Sequence, residues 1–124
     1  MAYSGNTGLT RIIKAAGYSW QGIKDAYKYE AAFRQETWLA LVLIPVAIYA
    51  SETATQLALM ISSVLLVMLV EILNSAVEAV VDRFGGELHE LSGRAKDMAS
   101  AAVTFSLIIM VLIWGLMLWE ILSN

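Results

Sequence analysis

A carboxylate inside an apolar helix limits this chain more than any other feature. From Leu57 to Val81 the residues are almost all apolar or small. A helix of roughly 25 such residues runs roughly 37 Å and crosses a bilayer core of about 30 Å with some tilt. Glu71 lies well inside that run. Helical spacing puts Glu71, Asn74, Glu78 and Asp82 at i, i+3, i+7 and i+11, one stripe facing one direction. An ionised carboxylate near the bilayer centre costs about 2.5–3.5 kcal/mol on insertion scales, so this stripe has to face protein. Two carboxylates are an awkward choice of interhelical glue where Ser or Asn would serve, which favours a chemical role.

Composition agrees with a membrane protein, since 59% of the 124 residues are apolar. The absence of cysteine excludes disulfides, thiol nucleophiles and iron–sulfur sites. The start of the chain lacks the basic region and apolar core of a cleavable signal, so the N-terminus is expected to be retained. No linker or repeat divides the sequence, which reads as one domain over residues 1–124.

The predicted architecture is an all-α membrane protein with an N-terminal amphipathic surface helix and three transmembrane helices. The surface helix is expected over about 9–28, where Ile12, Ile13, Trp20, Ile23 and Tyr27 recur at helical spacing among basic residues. The spans are expected over 31–50, 56–82 and 96–122. Pro45 interrupts the first, which reaches across only if Ala31 to Glu36 belong to the same helix and face protein. Glu30 and Arg34 are one turn apart and able to pair. Ser92 is a plausible cap ahead of the last span.

All eight basic residues fall on one side of this arrangement, while the connection near Ser51 to Thr55 and the C-terminal tail have none. By the positive-inside rule the N-terminus and the Asp82 to Ala95 loop are cytoplasmic and the C-terminus is periplasmic. Three helices offer little interior in which to hide Glu71, which argues for a homo-oligomer with sites near subunit contacts.

Depth separates the acids. Seven residues of helix put Glu71 and Glu78 about 10 Å apart along the axis, too far to share one small ion. Glu78, with Glu30, is placed to hold a cation bridging phosphates, and magnesium takes few protein carboxylates. Glu71 lies where a lipid headgroup hydroxyl can meet a general base. Arg94, Lys96 and Asp97 come near a helix start, a setting that favours anions. His89 has no partner His at metal spacing and by itself reads as a loop contact. Asp82 reads as the boundary where the helix meets water. No Gly-rich phosphate loop or protein-kinase signature is present, and nothing supports nucleic-acid binding.

RIIKAAGYSW, EAAFRQE, ISSVLLVMLVEILNSAVEAVVDR and HELSGRAKDM together resemble the prokaryotic integral-membrane diacylglycerol kinase family, from about Leu9 to Trp119. The resemblance implies a homotrimeric bundle in the bacterial inner membrane, with active sites shared between subunits. It also implies magnesium-dependent phosphorylation of diacylglycerol by ATP at the cytoplasmic boundary, giving phosphatidic acid. Glu71 and Asn74 would be catalytic, and Glu30 and Glu78 would hold the metal. The nucleotide would meet Arg11, Tyr18, Glu30, Glu78, Glu87, His89, Lys96 and Asp97. The lipid would meet Arg11, Ser19, Trp20, Glu36, Glu71 and Ser100. An undecaprenol kinase is the alternative within the family; outside it, a small proton-coupled transporter would also use an intramembrane Glu.

Overall fold

The computed structural model describes residues 7–84 and 89–124. Among these the regular secondary structure is all helical, with α1 at Gly8–Tyr29, α2 at Ala31–Ala50, α3 at Ala54–Asp82 and α4 at Glu90–Ser123. The last three are long and apolar enough to cross a membrane. α3 is the central element and packs against all three others, most extensively against α4.

Local chemistry explains where α3 and α4 begin. Thr53 opens α3 through a capping box: its side chain accepts from the Gln56 backbone N–H, and the Gln56 side chain accepts from the Thr53 N–H. α4 opens earlier than the sequence suggests, because His89 caps it: Nδ1 accepts from the Leu91 N–H at 3.0 Å. Ser92 is therefore inside the helix, which corrects its reading as the cap. α2 runs through Pro45 without a break, although proline costs it one backbone hydrogen bond.

In lipid there is little hydrophobic drive between helices, so close packing and interhelical hydrogen bonds hold the bundle together. Ala40 and Ala47 of α2, Met60, Val64 and Val67 of α3, and Met110 and Trp114 of α4 form the core. The small alanines let α2 approach α3 closely. Trp114 Nε1 donates to the Met60 carbonyl at 3.1 Å and to Ser63 Oγ at 3.0 Å. Nearer the Ser51 end, buried Gln56 donates through Nε2 to Glu120 Oε1 at 2.6 Å, joining α3 to α4. These bonds tie α3 to α4 in the half of the bundle away from Glu71 and Glu78.

Along α1 only Ala26 is buried. Ile12 and Trp20 are 65% and 61% exposed, so the apolar face of α1 is left for a membrane surface.

Candidate functional site

α3 carries the stripe toward the end of the bundle opposite the Gln56 tie. Glu71 is 6% exposed and lies about 16 Å of helix rise from Asp82. One chain therefore covers Glu71 by itself, which corrects the expectation that three helices hold too little interior for it. α2 packs along α3, and the end of α1 and Phe33 of α2 lie beside residues 65–79 of α3, on either side of Glu71. Glu78 is half-buried, and Asn74, one turn before it, donates through Nδ2 to Glu78 Oε1 at 3.2 Å.

Glu30 is half-buried at the break between α1 and α2. Together with Glu36 and Glu78 it lies within electrostatic range of Glu71, so four carboxylates from three elements share one neighbourhood. Glu36 is half-buried on α2, and its Oε2 is buried with no donor among the described residues. Such an oxygen is ready to accept from a hydroxyl. Arg34 is not an ion-pair partner of Glu30, as its spacing suggested; its guanidinium donates to the Tyr27 and Lys28 carbonyls instead. Gln35 faces outward, so the polar start of α2 is only partly turned to protein.

Across the loop, Lys96 of α4 pairs with Asp82 of α3 and also lies within electrostatic range of Glu78. Asp82 is thus more than a boundary residue: it holds the cation next to the cluster. Because α4 starts at Glu90, Lys96 stands two turns in, beyond the free amides of the first turn. The helix-start argument for Lys96 and Asp97 fails on that point, and Lys96 acts through its ammonium alone.

Other candidates are spread along the surface. Arg11, Tyr18, Ser19 and Trp20 are exposed on α1, and Asp97 and Ser100 on α4. Among the described residues Arg11 and Asp97 make no hydrogen bond or ion pair with the carboxylates. Ser19 Oγ donates to the Ala15 carbonyl, and Lys24 sits over the Trp20 ring at 5.9 Å. Glu87 lies outside the described residues. Sequence reasoning gave Arg34 to Glu30 and missed its hold on the end of α1, whose signal was a long basic side chain in the first turn of a helix following another helix's end.

Cavities surround the cluster. One of about 360 Å³ between α1 and α3 is lined by Asp25, Tyr29, Glu30 and Ser75. Two more open cavities of about 340 and 530 Å³ share Ile23, Phe33 and Met68 and are almost wholly apolar. The cavity between α1 and α3 is mostly apolar too, with Asp25, Glu30 and Ser75 as its polar lining, whereas the other two have almost none.

For a divalent ion, the carboxylates that would serve as donors are Glu30 and Glu78, both half-buried, the second bonded by Asn74. No group of three His, Cys, Asp or Glu side chains poised to hold a metal occurs among the described residues. Few protein oxygens with room for phosphate and water is the coordination magnesium favours, so the residues fit that ion.

Three helices long and apolar enough to cross a membrane, with carboxylates gathered toward one end of the bundle, define a multi-pass membrane protein. The family model described as prokaryotic diacylglycerol kinase matches residues 17–118. A diacylglycerol kinase of Escherichia coli (strain K12) is 59% identical over 114 residues, 92% of this chain and 93% of that one. Diacylglycerol kinases of Haemophilus influenzae and Pseudomonas aeruginosa are 58% and 48% identical over 109 and 116 residues, covering 88% and 94% of this chain and 92% and 94% of their own. The chain belongs to the prokaryotic diacylglycerol kinase family, and it is a bacterial membrane enzyme of the kinase class.

Proposed function

We propose that this chain transfers the γ-phosphoryl group of ATP to the free hydroxyl of diacylglycerol, giving phosphatidic acid at the cytoplasmic face of the inner membrane. The observation that carries this reading is the gathering of Glu30, Glu71 and Glu78 at two depths of one bundle, in a chain whose relatives are named diacylglycerol kinase.

Phosphoryl transfer depends mainly on positioning and charge neutralisation, which a small bundle can supply. The apolar groove beside Phe33 and Met68 would take acyl chains, and Trp20 at its mouth would sit at headgroup level. Glu36 Oε2 would accept from the lipid headgroup. Glu71 would remove the hydroxyl proton as the lipid oxygen bonds to the γ-phosphorus and the bond to the ADP oxygen breaks. Glu30 and Glu78 would hold magnesium, with Asn74 keeping Glu78 in orientation. When bound, the ion neutralises charge on the phosphate oxygens. Lys96 would leave Asp82 to meet the phosphates as they arrive.

Arg11, Tyr18, Glu87, His89 and Asp97 complete the proposed nucleotide contacts, and Arg11, Ser19 and Ser100 the lipid contacts. In one chain Arg11 and Asp97 stand apart from the carboxylates, which supports a homotrimer in which neighbours complete each site. The open groove of about 430 Å³ between α3 and α4, which Asn74 lines, gives a neighbour a place to pack. The basic residues grouped at the acidic end support a cytoplasmic N-terminus and a periplasmic C-terminus.

The test is transfer of label from γ-labelled ATP by purified protein, with diacylglycerol or undecaprenol in micelles, with and without magnesium. Magnesium-dependent labelling of diacylglycerol is expected. Labelling of undecaprenol alone would move the assignment to the other lipid, and labelling of neither would end the kinase reading for this site.

A further inference from the structure

One extended residue, Glu30, separates α1 from α2, with φ −114° and ψ 110°. With so short a link, a few torsions decide where the 22-residue α1 points and where the Glu30 carboxylate lies. The end of α1 also leaves backbone carbonyls without helical partners. Ala26 O accepts from the Glu30 N–H at 2.9 Å. Tyr27 O and Lys28 O accept from Nη1 of Arg34, at 2.8 and 2.9 Å. The Arg34 N–H in turn donates to Glu30 O at 3.1 Å. Arg34 therefore grips both sides of the break: its backbone is in the first turn of α2 and its guanidinium is on the last turn of α1.

These bonds are charge-assisted, and a cation at a helix C-terminus complements the helix dipole. Both bonds lie at exposed positions, so their hold comes from one guanidinium nitrogen gripping two adjacent carbonyls and not from shielding against water. Glu30 lines the cavity between α1 and α3 together with Ser75, Ala76 and Ala79, so a tilt of α1 about residue 30 would shift its carboxylate relative to the stretch of α3 that carries Glu78.

We propose that Arg34 is a positioning residue for the metal–nucleotide site: its clamp on the Tyr27 and Lys28 carbonyls sets the α1–α2 angle and thereby holds Glu30 opposite Glu78. The inference rests on the reading of Glu30 as a metal ligand. Arg34 acts through Glu30 and not by touching phosphate.

The test is binding of Mn2+ by electron paramagnetic resonance, with a non-hydrolysable ATP analogue, on full-length protein in micelles. Arg34→Met, which keeps length and loses the donors, is expected to weaken binding by about tenfold, as loss of an outer-shell support commonly does. Arg34→Lys, whose ammonium can donate to both carbonyls, should restore it to within about threefold. Added to Glu30→Gln, Arg34→Met should cost less than about twofold, since residues acting as a unit are non-additive. Should Arg34→Met not fold, Arg34→Gln is read on the same scale.

Wild-type binding by Arg34→Met, or the full tenfold loss on top of Glu30→Gln, would overturn the inference. If Glu30→Gln weakens binding and Arg34→Met does not, the metal reading stands and the clamp falls. If Glu30→Gln leaves binding unchanged, both fall.

Discussion

Lys96 Nζ sits 2.7 Å from Asp82 Oδ1, tying the two helices that flank the 83–89 loop and holding a cation beside Glu78. Both side chains are well exposed, so the pair is screened by salt and adds little to the fold. Its value lies in placement. Lys96→Met is expected to lower kcat about 10²- to 10³-fold, the usual cost of losing a donor aimed at developing charge. Asp82→Asn is expected to change kcat by less than about threefold, with the difference disappearing as salt is raised past the Debye regime. Steady-state kinetics at low and high salt check both.

Asn74 acts one step further back. Its amide holds Glu78 Oε1 and so limits the rotamers open to that carboxylate. Asn74→Ala should raise the magnesium concentration for half-maximal rate by about 10- to 100-fold, as loss of outer-shell partners does elsewhere. Magnesium titrations at saturating nucleotide measure this.

At the other end of the bundle, Trp114→Phe removes the donor shared by the Met60 carbonyl and Ser63 Oγ. Interhelical hydrogen bonds in membranes average about 0.6 kcal/mol and reach about 1.7. The variant should lose about 1 kcal/mol of stability in denaturant titrations in micelles and keep wild-type kinetics. Loss of activity in a folded Trp114→Phe protein would mean that the two ends are coupled.

Gln56→Ala removes both one half of the capping box and the bond to Glu120. Thr53 still caps α3 through the backbone N–H of residue 56, so the loss should be about 1 kcal/mol by the same measurement, from the interhelical bond and the Gln56 half of the capping box, again without a kinetic effect.

The fold was largely legible, because apolar runs of spanning length and a stripe of acids at helical spacing leave few alternatives. What escaped was set by contacts distant in sequence or by competition between caps. Ser92 looked like a cap, but His89 takes the Leu91 amide three residues earlier, and this moves Lys96 off the helix start. Glu30 and Arg34 have the spacing of an ion pair, yet the unpaired carbonyls at the end of α1 draw the guanidinium. Burial of Glu71 within a single chain depends on how α1 and α2 lie beside α3, which spacing along one helix does not reveal. The Gln56–Glu120 tie joins residues 64 positions apart and carries no local signal.

The central claim is that Glu71, buried below the phosphate level, is the base for the lipid hydroxyl. Glu71→Gln keeps the shape of the side chain and removes its basicity. Phosphate transfer to diacylglycerol and Mn2+–nucleotide binding should be measured on the same folded preparation. Near wild-type nucleotide binding with transfer reduced to background is the predicted result; near-normal turnover by that variant would contradict it.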